Sequence, residues 1–174
     1  LEASQRIARV GSYSRNLATQ QIAWSEQTYR VLGYEPGEVQ PTFDLLKRHI
    51  HPDDFDAWSA ANEALVQRNQ PYAADYRIIR KDGKVRDILS RAKLEYDAEG
   101  HPVRMYGAMQ DVTEQKRAEK KLRRSESELS AIYENAPLVM LLVDRQRRIV
   151  KLNAPAASMA RRSADEAVGL RGGE

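Results

Sequence analysis

The spacing of apolar residues changes along the first part of the chain, and each change predicts a new element. Leu1–Val10 has helical spacing, and we expect Gly11 to end this flanking helix because glycine readily adopts the left-handed geometry of helix ends. Alternation of apolar and polar residues then predicts two short strands, Ser12–Leu17 and Gln21–Trp24.

Helical spacing returns between these strands and residue 69. Ser25 is a suitable N-cap for a helix that Gly33 ends, and Phe43–Ile50 predicts a second short helix. A longer helix is predicted at Pro52–Asn69. Proline lacks the N–H that is unpaired in a first turn, and the two aspartates that follow it suit the positive end of the helix dipole.

From residue 72 the period is two, which predicts three strands at Tyr72–Lys81, Val85–Asp97 and Val103–Asp111. Asp82–Gly83 is a hairpin signal between the first two, and Glu99–Gly100 marks the second turn. Three strands joined by tight turns form an antiparallel meander. The two earlier strands complete a five-stranded sheet with the helices on one face, so we predict an α+β fold.

The chain then becomes helical and highly charged. In Thr113–Asn135 a heptad pattern places Leu122 and Leu129 at a positions, and Lys121 and Glu126 are spaced as a g–e pair. The d positions hold Ala118, Ser125 and Ile132. The pattern predicts a coiled-coil pairing of this helix in a homodimer, to which the flanking helix could add. A solvated single helix is the alternative.

The last segment repeats the order of the beginning. Strands are predicted at Leu138–Val143 and Ile149–Leu152, and Asn153 would cap a following helix. Ser25 and Asn153 are 128 positions apart, and a repeat of this size indicates tandem domains. The predicted divisions are a flanking helix at 1–10, a domain at 11–113, a linker helix at 114–135 and the start of a second domain at 136–174.

Several motifs, in order, resemble a PAS domain with its C-terminal PAC meander, of the kind found in tandem in bacterial sensor kinases. They are Ile22–Ala23–Trp24–Ser25, Val31–Leu32–Gly33–Tyr34–Glu35–Pro36, His51–Pro52–Asp53–Asp54, Tyr76–Arg77–Ile78 with Arg80–Lys81–Asp82–Gly83, and Asp111–Val112–Thr113–Glu114–Gln115–Lys116. The resemblance covers residues 10–122, and residues 138–174 resemble the opening of a second PAS domain.

The resemblance implies a sheet in the order 2-1-5-4-3 with helices across one face. It also implies a sensory or relay role in a longer signal-transduction protein, with a sensor histidine kinase or a diguanylate cyclase as output and further PAS and output domains as neighbours. The sequence contains no output motif, so we do not expect this chain itself to be an enzyme.

Asp111 and Thr113 are the candidate signalling junction. Side chains of these types can hydrogen-bond backbone N–H groups where a strand becomes a helix, and in the family this motif couples the core to the outgoing helix. A simple helix cap is the alternative interpretation.

A small ligand would sit between the sheet and the helices. The candidate lining residues are Tyr29, Trp58, Tyr76, Ile78 and Met109. The alternative is an ordinary packed core, so no cofactor is predicted and an unknown small ligand stays open. A ligand-binding sensor and a dimerisation spacer of a diguanylate cyclase are therefore competing functions.

The cysteine and histidine content limits which cofactors and metals the chain can bind. The chain has 0 cysteines, which excludes thiol-linked flavin photochemistry and cysteine-ligated zinc. His49 and His51 have no third convergent ligand, and Pro52–Asn69 lacks the histidine that haem-binding relatives place there. Met109 stands where a polar residue would serve a flavin. We therefore expect no metal site and no catalytic dyad.

Charge and hydropathy limit the partners. The formal charge of +3 is too small to indicate nucleic-acid binding, and no apolar run approaches the roughly 20 residues that span a bilayer. We therefore expect a cytoplasmic segment without membrane contact, which is compatible with a membrane anchor elsewhere in a parent protein.

Overall fold

The computed structural model describes residues 9–70 and 72–171 of the chain. The chain divides into two compact units, Leu1–Lys116 and Arg117–Glu174. Most of the predicted flanking helix lies outside the described residues. Its last predicted residue, Val10, belongs instead to the first strand.

Five antiparallel strands form the sheet of the first unit. They are β1 Val10–Asn16, β2 Ile22–Trp24, β3 Tyr72–Ile79, β4 Val85–Tyr96 and β5 Pro102–Asp111. Their order is β2-β1-β5-β4-β3, as the resemblance implies, because the meander β3–β4–β5 adds β1 along its open edge. The pairing register of β4 and β5 shifts between Glu95 and Tyr96, near the far end of this long strand.

Strand β3 is two residues shorter than predicted. It ends at Ile79 because the Arg80 N–H turns to the carbonyl of Lys84 across the hairpin, at 3.0 Å. The Lys81 N–H donates to the Leu32 carbonyl, also at 3.0 Å. These bonds tie the hairpin to the end of a helix and remove both residues from the ladder.

Along the chain, the helices of the first unit come after β2 and before β3. They are α1 Glu26–Leu32, α2 Phe43–His49, a 3₁₀ turn at Pro52–Asp54, and α3 Phe55–Arg68. The core between helices and sheet is made of side chains with little or no exposure, including Leu32, Trp58, Ile78, Ile88 and Met109. The inward positions of the strands alternate with outward ones, as the period of two predicts.

The second unit contains most of a long helix and a small sheet. Helix α4, Thr113–Asn135, begins in the first unit and is followed by β6 Leu141–Val143, β7 Ile149–Leu152, α5 Ala154–Ala160 and α6 Ala164–Ala167. Strand β6 is shorter than predicted because Asn153 binds the preceding backbone: its side chain donates to the Leu138 carbonyl and accepts from the Met140 N–H.

The same pair of hydrogen bonds occurs in both units. The Ser25 N–H donates to the Ser12 carbonyl at 2.9 Å, and the Ser12 N–H donates back to Ser25 Oγ at 2.9 Å. Asn153 and Met140 exchange equivalent bonds at 3.0 and 2.9 Å. The spacing between corresponding residues is 128 in each case. The strand residues paired just beyond these bonds are Tyr13 with Trp24 and Leu141 with Leu152.

Gly11 has a different role from the one predicted. It lies inside β1 and ends no helix among the described residues. A Cβ atom added to it would lie 2.8 Å from both the Cα and the N of Thr28, so the glycine lets α1 approach the strand closely.

We therefore expect Gly11→Ala to lower the free energy of unfolding by about 1–3 kcal/mol, because backbone atoms of α1 must move away from the new methyl group. Urea denaturation measures the change. Ser14→Ala, on the opposite face of the same strand, is the control and should stay within about 0.5 kcal/mol of the parent. Equal stability of Gly11→Ala and the parent would contradict the close approach.

Candidate functional site

A small cavity lies between the sheet and the helices of the first unit. Its volume is about 20 Å³, which is room for about one water molecule. The lining residues come from four strands and three helices: Tyr13, Arg15, Ile22, Trp24, Thr28, Phe43, Leu46, Trp58, Asn62, Tyr72, Tyr76, Met105 and Met109.

The structure brings three of the five predicted lining residues together at this cavity: Trp58, Tyr76 and Met109. Ile78 is fully buried in the neighbouring core and stands outside the lining set. Tyr29 also stands outside it, because its ring packs edge-on against Trp24 with the ring centroids 5.3 Å apart.

Three phenol groups give the cavity its polar character. Tyr13 Oη lies 3.1 Å from Ser90 Oγ, and the Ser90 hydroxyl donates to the Ala108 carbonyl at 3.2 Å. Burial raises the pKa of Tyr13, Tyr72 and Tyr76, and the neighbouring phenols raise the pKa of Tyr76 further. All three hydroxyls are therefore neutral at physiological pH.

Tyr72 and Tyr13 also line the cavity, and neither was predicted to do so. A usable signal was present, because Tyr72 and Tyr76 are four residues apart on one strand and therefore share its face. The contribution of Tyr13 depends on the pairing of β1 with β5, which local sequence does not specify.

Phe43 covers one side of the cavity. Its ring stacks on Trp58 with the centroids 5.6 Å apart, and the guanidinium carbon of Arg15 lies 4.3 Å from its centroid. Burial lowers the pKa of Arg15. A cation over an aromatic ring is weakly attractive, so this cover is held by packing and cation–π contact.

In this conformation the cavity does not fit a haem or a flavin. Sites for small molecules of that class enclose about 300–1,000 Å³, far more than the 20 Å³ present. His49 and His51 also have hydrogen-bond partners within the protein. His49 lies 3.0 Å from Tyr34 Oη through Nε2 and 2.6 Å from the Ile79 carbonyl through Nδ1, and His51 accepts from the Asp53 N–H.

Among residues 9–70 and 72–171, no group of three or more histidine, aspartate or glutamate side chains is arranged to hold a metal ion. Within those same ranges, no helix combines the length and the apolar character that crossing a bilayer requires.

Asp54 fixes the start of α3 to β3. One of its oxygens accepts from the Arg77 backbone N–H at 2.7 Å and from Arg77 Nε at 2.9 Å, and the other accepts from Arg77 Nη2 at 2.7 Å. The hydrogen bonds from Arg77 lower the pKa of Asp54 to about 2. This clamp positions α3, and with it the cavity residue Trp58.

The second candidate site is the joint at which β5 becomes α4. The Thr113 N–H donates to Asp111 Oδ1 at 3.0 Å, and Thr113 Oγ1 accepts from the Asp87 N–H at 2.9 Å. The Val112 N–H donates to the Asp87 carbonyl at 2.9 Å. The backbone of Asp87 on β4 therefore binds the two residues, Val112 and Thr113, at which the chain leaves the sheet.

Charged groups surround this joint. Arg86 Nε lies 3.5 Å from Asp111 Oδ2, and Lys116 Nζ lies 3.1 Å from Asp75 Oδ1 on β3. Thr113 is almost completely buried. The structure thus places both predicted junction residues at one network. It adds Asp87 and Arg86, which only the register of β4 against β5 could have identified.

The pKa of Asp54 leads to a pH-dependent prediction. This carboxyl has an ordinary pKa of 3.8 and a folded pKa of about 2, so its stabilisation is present above about pH 4 and is lost as the pH falls towards 2. We expect Asp54→Asn to destabilise the protein by about 1–3 kcal/mol at pH 7, and much less at pH 2. Chemical denaturation across this pH range measures the difference.

The matched control is Asp53→Asn, because Asp53 is largely exposed and contacts the same arginine at 3.2 Å. It should have a small effect at every pH. A destabilisation by Asp54→Asn that stays constant between pH 7 and pH 2 would show that the clamp does not depend on the charge of Asp54.

Comparison with known proteins places these features in a family. The PAS fold family matches residues 21–109 of this chain. The chain is 27% identical over 161 residues to the sensor protein FixL of Bradyrhizobium diazoefficiens, covering 92% of this chain and 32% of FixL. It is 25% identical over 140 residues to a blue-light-activated histidine kinase of Brucella ovis, covering 80% of this chain and 28% of that kinase.

The chain thus spans about a third or less of the curated relatives that it matches. A solved structure of a sensory box histidine kinase/response regulator from Burkholderia thailandensis is 32% identical to this chain with a TM-score of 0.60. The match covers 74% of this chain and 95% of that one. The five-stranded sheet, the helices on its inner face and these similarities agree: the chain belongs to the PAS fold family.

Proposed function

We propose that the first unit is a sensory or relay module of a longer signal-transduction protein, with a sensor histidine kinase as its output. Relatives with the descriptions sensor protein and histidine kinase support this role. We assign no catalytic step to the chain itself. The observation that carries the proposal is the hydrogen-bonded joint of Asp87, Asp111 and Thr113, through which the sheet holds the outgoing helix.

The position of β5 explains how a signal would reach that joint. β5 lies at the centre of the sheet between β1 and β4, and Met105 and Met109 on its inner face line the cavity. A change in the core displaces β5 along with these side chains. Asp111 ends β5, so the first turn of α4 must follow the displacement.

A second candidate function is a sensor that binds a small ligand in the cavity. The three neutral phenol groups and Asn62 favour it, because they offer donors and acceptors inside an apolar enclosure. At the present volume the occupant is no larger than water, so a metabolite would have to move Phe43 and open the core. The light response named for the Brucella relative is not transferred, since this chain has 0 cysteines for thiol-linked flavin chemistry.

We also propose that α4 pairs with α4 of a second copy along its heptad seam. Leu122, Leu129 and Ile132 are 61%, 64% and 68% exposed, although all three are large apolar residues at a or d positions. A parallel pair would bury these residues and make each joint act on a shared coil. A dimerisation spacer of a diguanylate cyclase would use the same seam.

The second unit is, in this proposal, the opening of a second PAS domain that begins near residue 136. The reciprocal bonds of Ser12 with Ser25 and of Met140 with Asn153 support it, since they recur at the same spacing and in the same structural order. Helix α4 would then be the linker between tandem domains, with residues 114–135 outside both.

The joint is tested by Asp111→Ala. We expect a loss of stability of about 0.5–2 kcal/mol and an increase of about 2- to 30-fold in hydrogen exchange at the first-turn amides of α4, because the Thr113 N–H loses its acceptor. In the parent protein the same variant should uncouple the output from its signal.

Asp97→Ala is the matched control, because the Asp97 side chain, like that of Asp111, accepts from nearby backbone N–H groups but lies in the β4–β5 turn. It should leave exchange in α4 and the output unchanged. Normal signal-dependent output from Asp111→Ala in the parent protein would refute the joint as the exit route.

The helix pair is tested by replacing Leu122 and Leu129 together with glutamine. Multi-angle light scattering should show the mass of a dimer for the parent chain and of a monomer for the double variant. Lys120→Gln with Ser127→Gln changes the opposite, f positions of the heptad and should keep the dimer. A parent chain that is monomeric, or a seam variant that stays dimeric, would contradict the pairing.

A further inference from the structure

A second pocket lies beside the joint, and guanidinium groups dominate its wall. It is an open pocket of about 350 Å³, within the usual range for small-molecule sites. Four arginines line it, Arg9, Arg30, Arg80 and Arg86, together with the carboxylates of Asp111 and Glu114. These arginines come from four separate segments of the first unit, so the fold brings them together.

Two of these arginines, Arg80 and Arg86, are mostly buried. The Arg80 side chain is 22% exposed, and its Nε is buried without a hydrogen-bond partner among the described residues. Its other nitrogens donate to the Arg30 carbonyl at 3.1 Å and lie 3.5 Å from Asp82. A guanidinium has five N–H donors, and buried donors are normally satisfied.

Arg86 is in a similar position. Its side chain is 19% exposed, Nε lies 3.5 Å from Asp111 Oδ2, and Nη1 lies 3.5 Å from the Val85 carbonyl. Asp111 is itself occupied, since its other oxygen accepts from the Thr113 N–H. Burying a cation with such long contacts is costly unless a further acceptor completes its bonding.

We propose that this pocket binds the phosphate group of a small molecule. A phosphate presents several acceptor oxygens in different directions, which suits donors that arrive from separate segments, whereas a carboxylate presents two oxygens to one guanidinium fork. Gln27 also lines the pocket, and its Oε1 is buried without a partner among the described residues.

The acidic groups nearby limit the excess of positive charge. Glu26 pairs with Arg30 at 2.8 Å and Asp82 lies 3.5 Å from Arg80, while Asp111 and Glu114 stand on the wall itself. The proposal therefore rests on the four guanidinium groups that the fold brings to one wall, two of them on side chains that are mostly buried. It goes beyond the proposed function, since binding requires no signal to pass through α4.

Isothermal titration calorimetry of the whole chain with inorganic phosphate, at constant ionic strength in chloride, tests the site. We expect saturable binding at one site per chain, weakened about tenfold or more in Arg80→Gln and Arg86→Gln. Arg104→Gln is the control, because Arg104 is 53% exposed and pairs with Glu95 near the other end of β5. No saturable binding, or equal binding by all variants, would overturn the proposal.

A conservative variant and two further ligands separate the possible causes of weaker binding. Arg80→Lys retains the charge but removes the planar guanidinium with its Nε–H. Thermal unfolding checks that each variant is folded. Weaker binding of phosphate by a folded Arg80→Lys supports recognition by the guanidinium fork. Binding of a nucleoside monophosphate more tightly than phosphate would identify a phosphate ester as the ligand, and the reverse would identify free phosphate. Tighter binding of succinate than of either would overturn the assignment to phosphate.

Discussion

The backbone of Asp87 supports the part of the fold on which the proposed function depends. Its carbonyl accepts from Val112 and its N–H donates to Thr113 Oγ1, so β4 continues to hold the chain after β5 has ended. The threonine hydroxyl replaces the carbonyl that a further strand residue would have offered. The chain can therefore turn into α4 without leaving a backbone donor of β4 unpaired.

The inner side of the sheet has to accommodate three tyrosines. Tyr13 can lie across β5 because the residue opposite it is Gly107, where a Cβ atom would be 2.7 Å from the Tyr13 ring and hydroxyl. Ser90, which is completely buried, forms a hydrogen bond with the Tyr13 hydroxyl and donates one to the Ala108 carbonyl. The absence of a Cβ at Gly107 on β5 thus makes room for the phenol of Tyr13 on β1. The cavity is the space that these side chains leave unfilled.

Much of this architecture could be predicted from periodicity. The meander, its hairpin at Asp82–Gly83 and the inward position of Met109 follow from alternation and turn chemistry, and the predicted fold class is confirmed. The strand order, which only the resemblance to PAS domains implied, is confirmed as well. The predicted ends of elements were wrong where hydrogen bonds to distant parts of the chain replace those of the strand. Lys81 leaves its predicted strand because its N–H reaches Leu32.

The site residues divide along the same line. The spacing of apolar residues places Trp58 on the buried face of α3 and Tyr76 on the buried face of β3, so both could be predicted. Tyr29 was misplaced because the path of α1 directs its ring to Trp24, and Gly11 was misread because its neighbour Thr28 is brought to it by tertiary packing. The partners of the joint, Asp87 and Arg86, depend on strand register, which emerges only once the sheet is assembled.

Helix α4 is held at its end as well as at its start. In the second unit, Asn153 Nδ2 donates to the Tyr133 carbonyl at 3.0 Å, and the Ala154 N–H donates to Glu134 at 3.2 Å. Ser25, at the corresponding place in the first unit, is shorter and has one oxygen, whereas the asparagine amide can accept from Met140 and donate to the helix at once. Asparagine at position 153 therefore adds a hydrogen bond to the end of α4 that serine at position 25 has no group to make. Under the proposed tandem arrangement, this contact at Tyr133 is where α4 would pass a displacement to the segment that follows it.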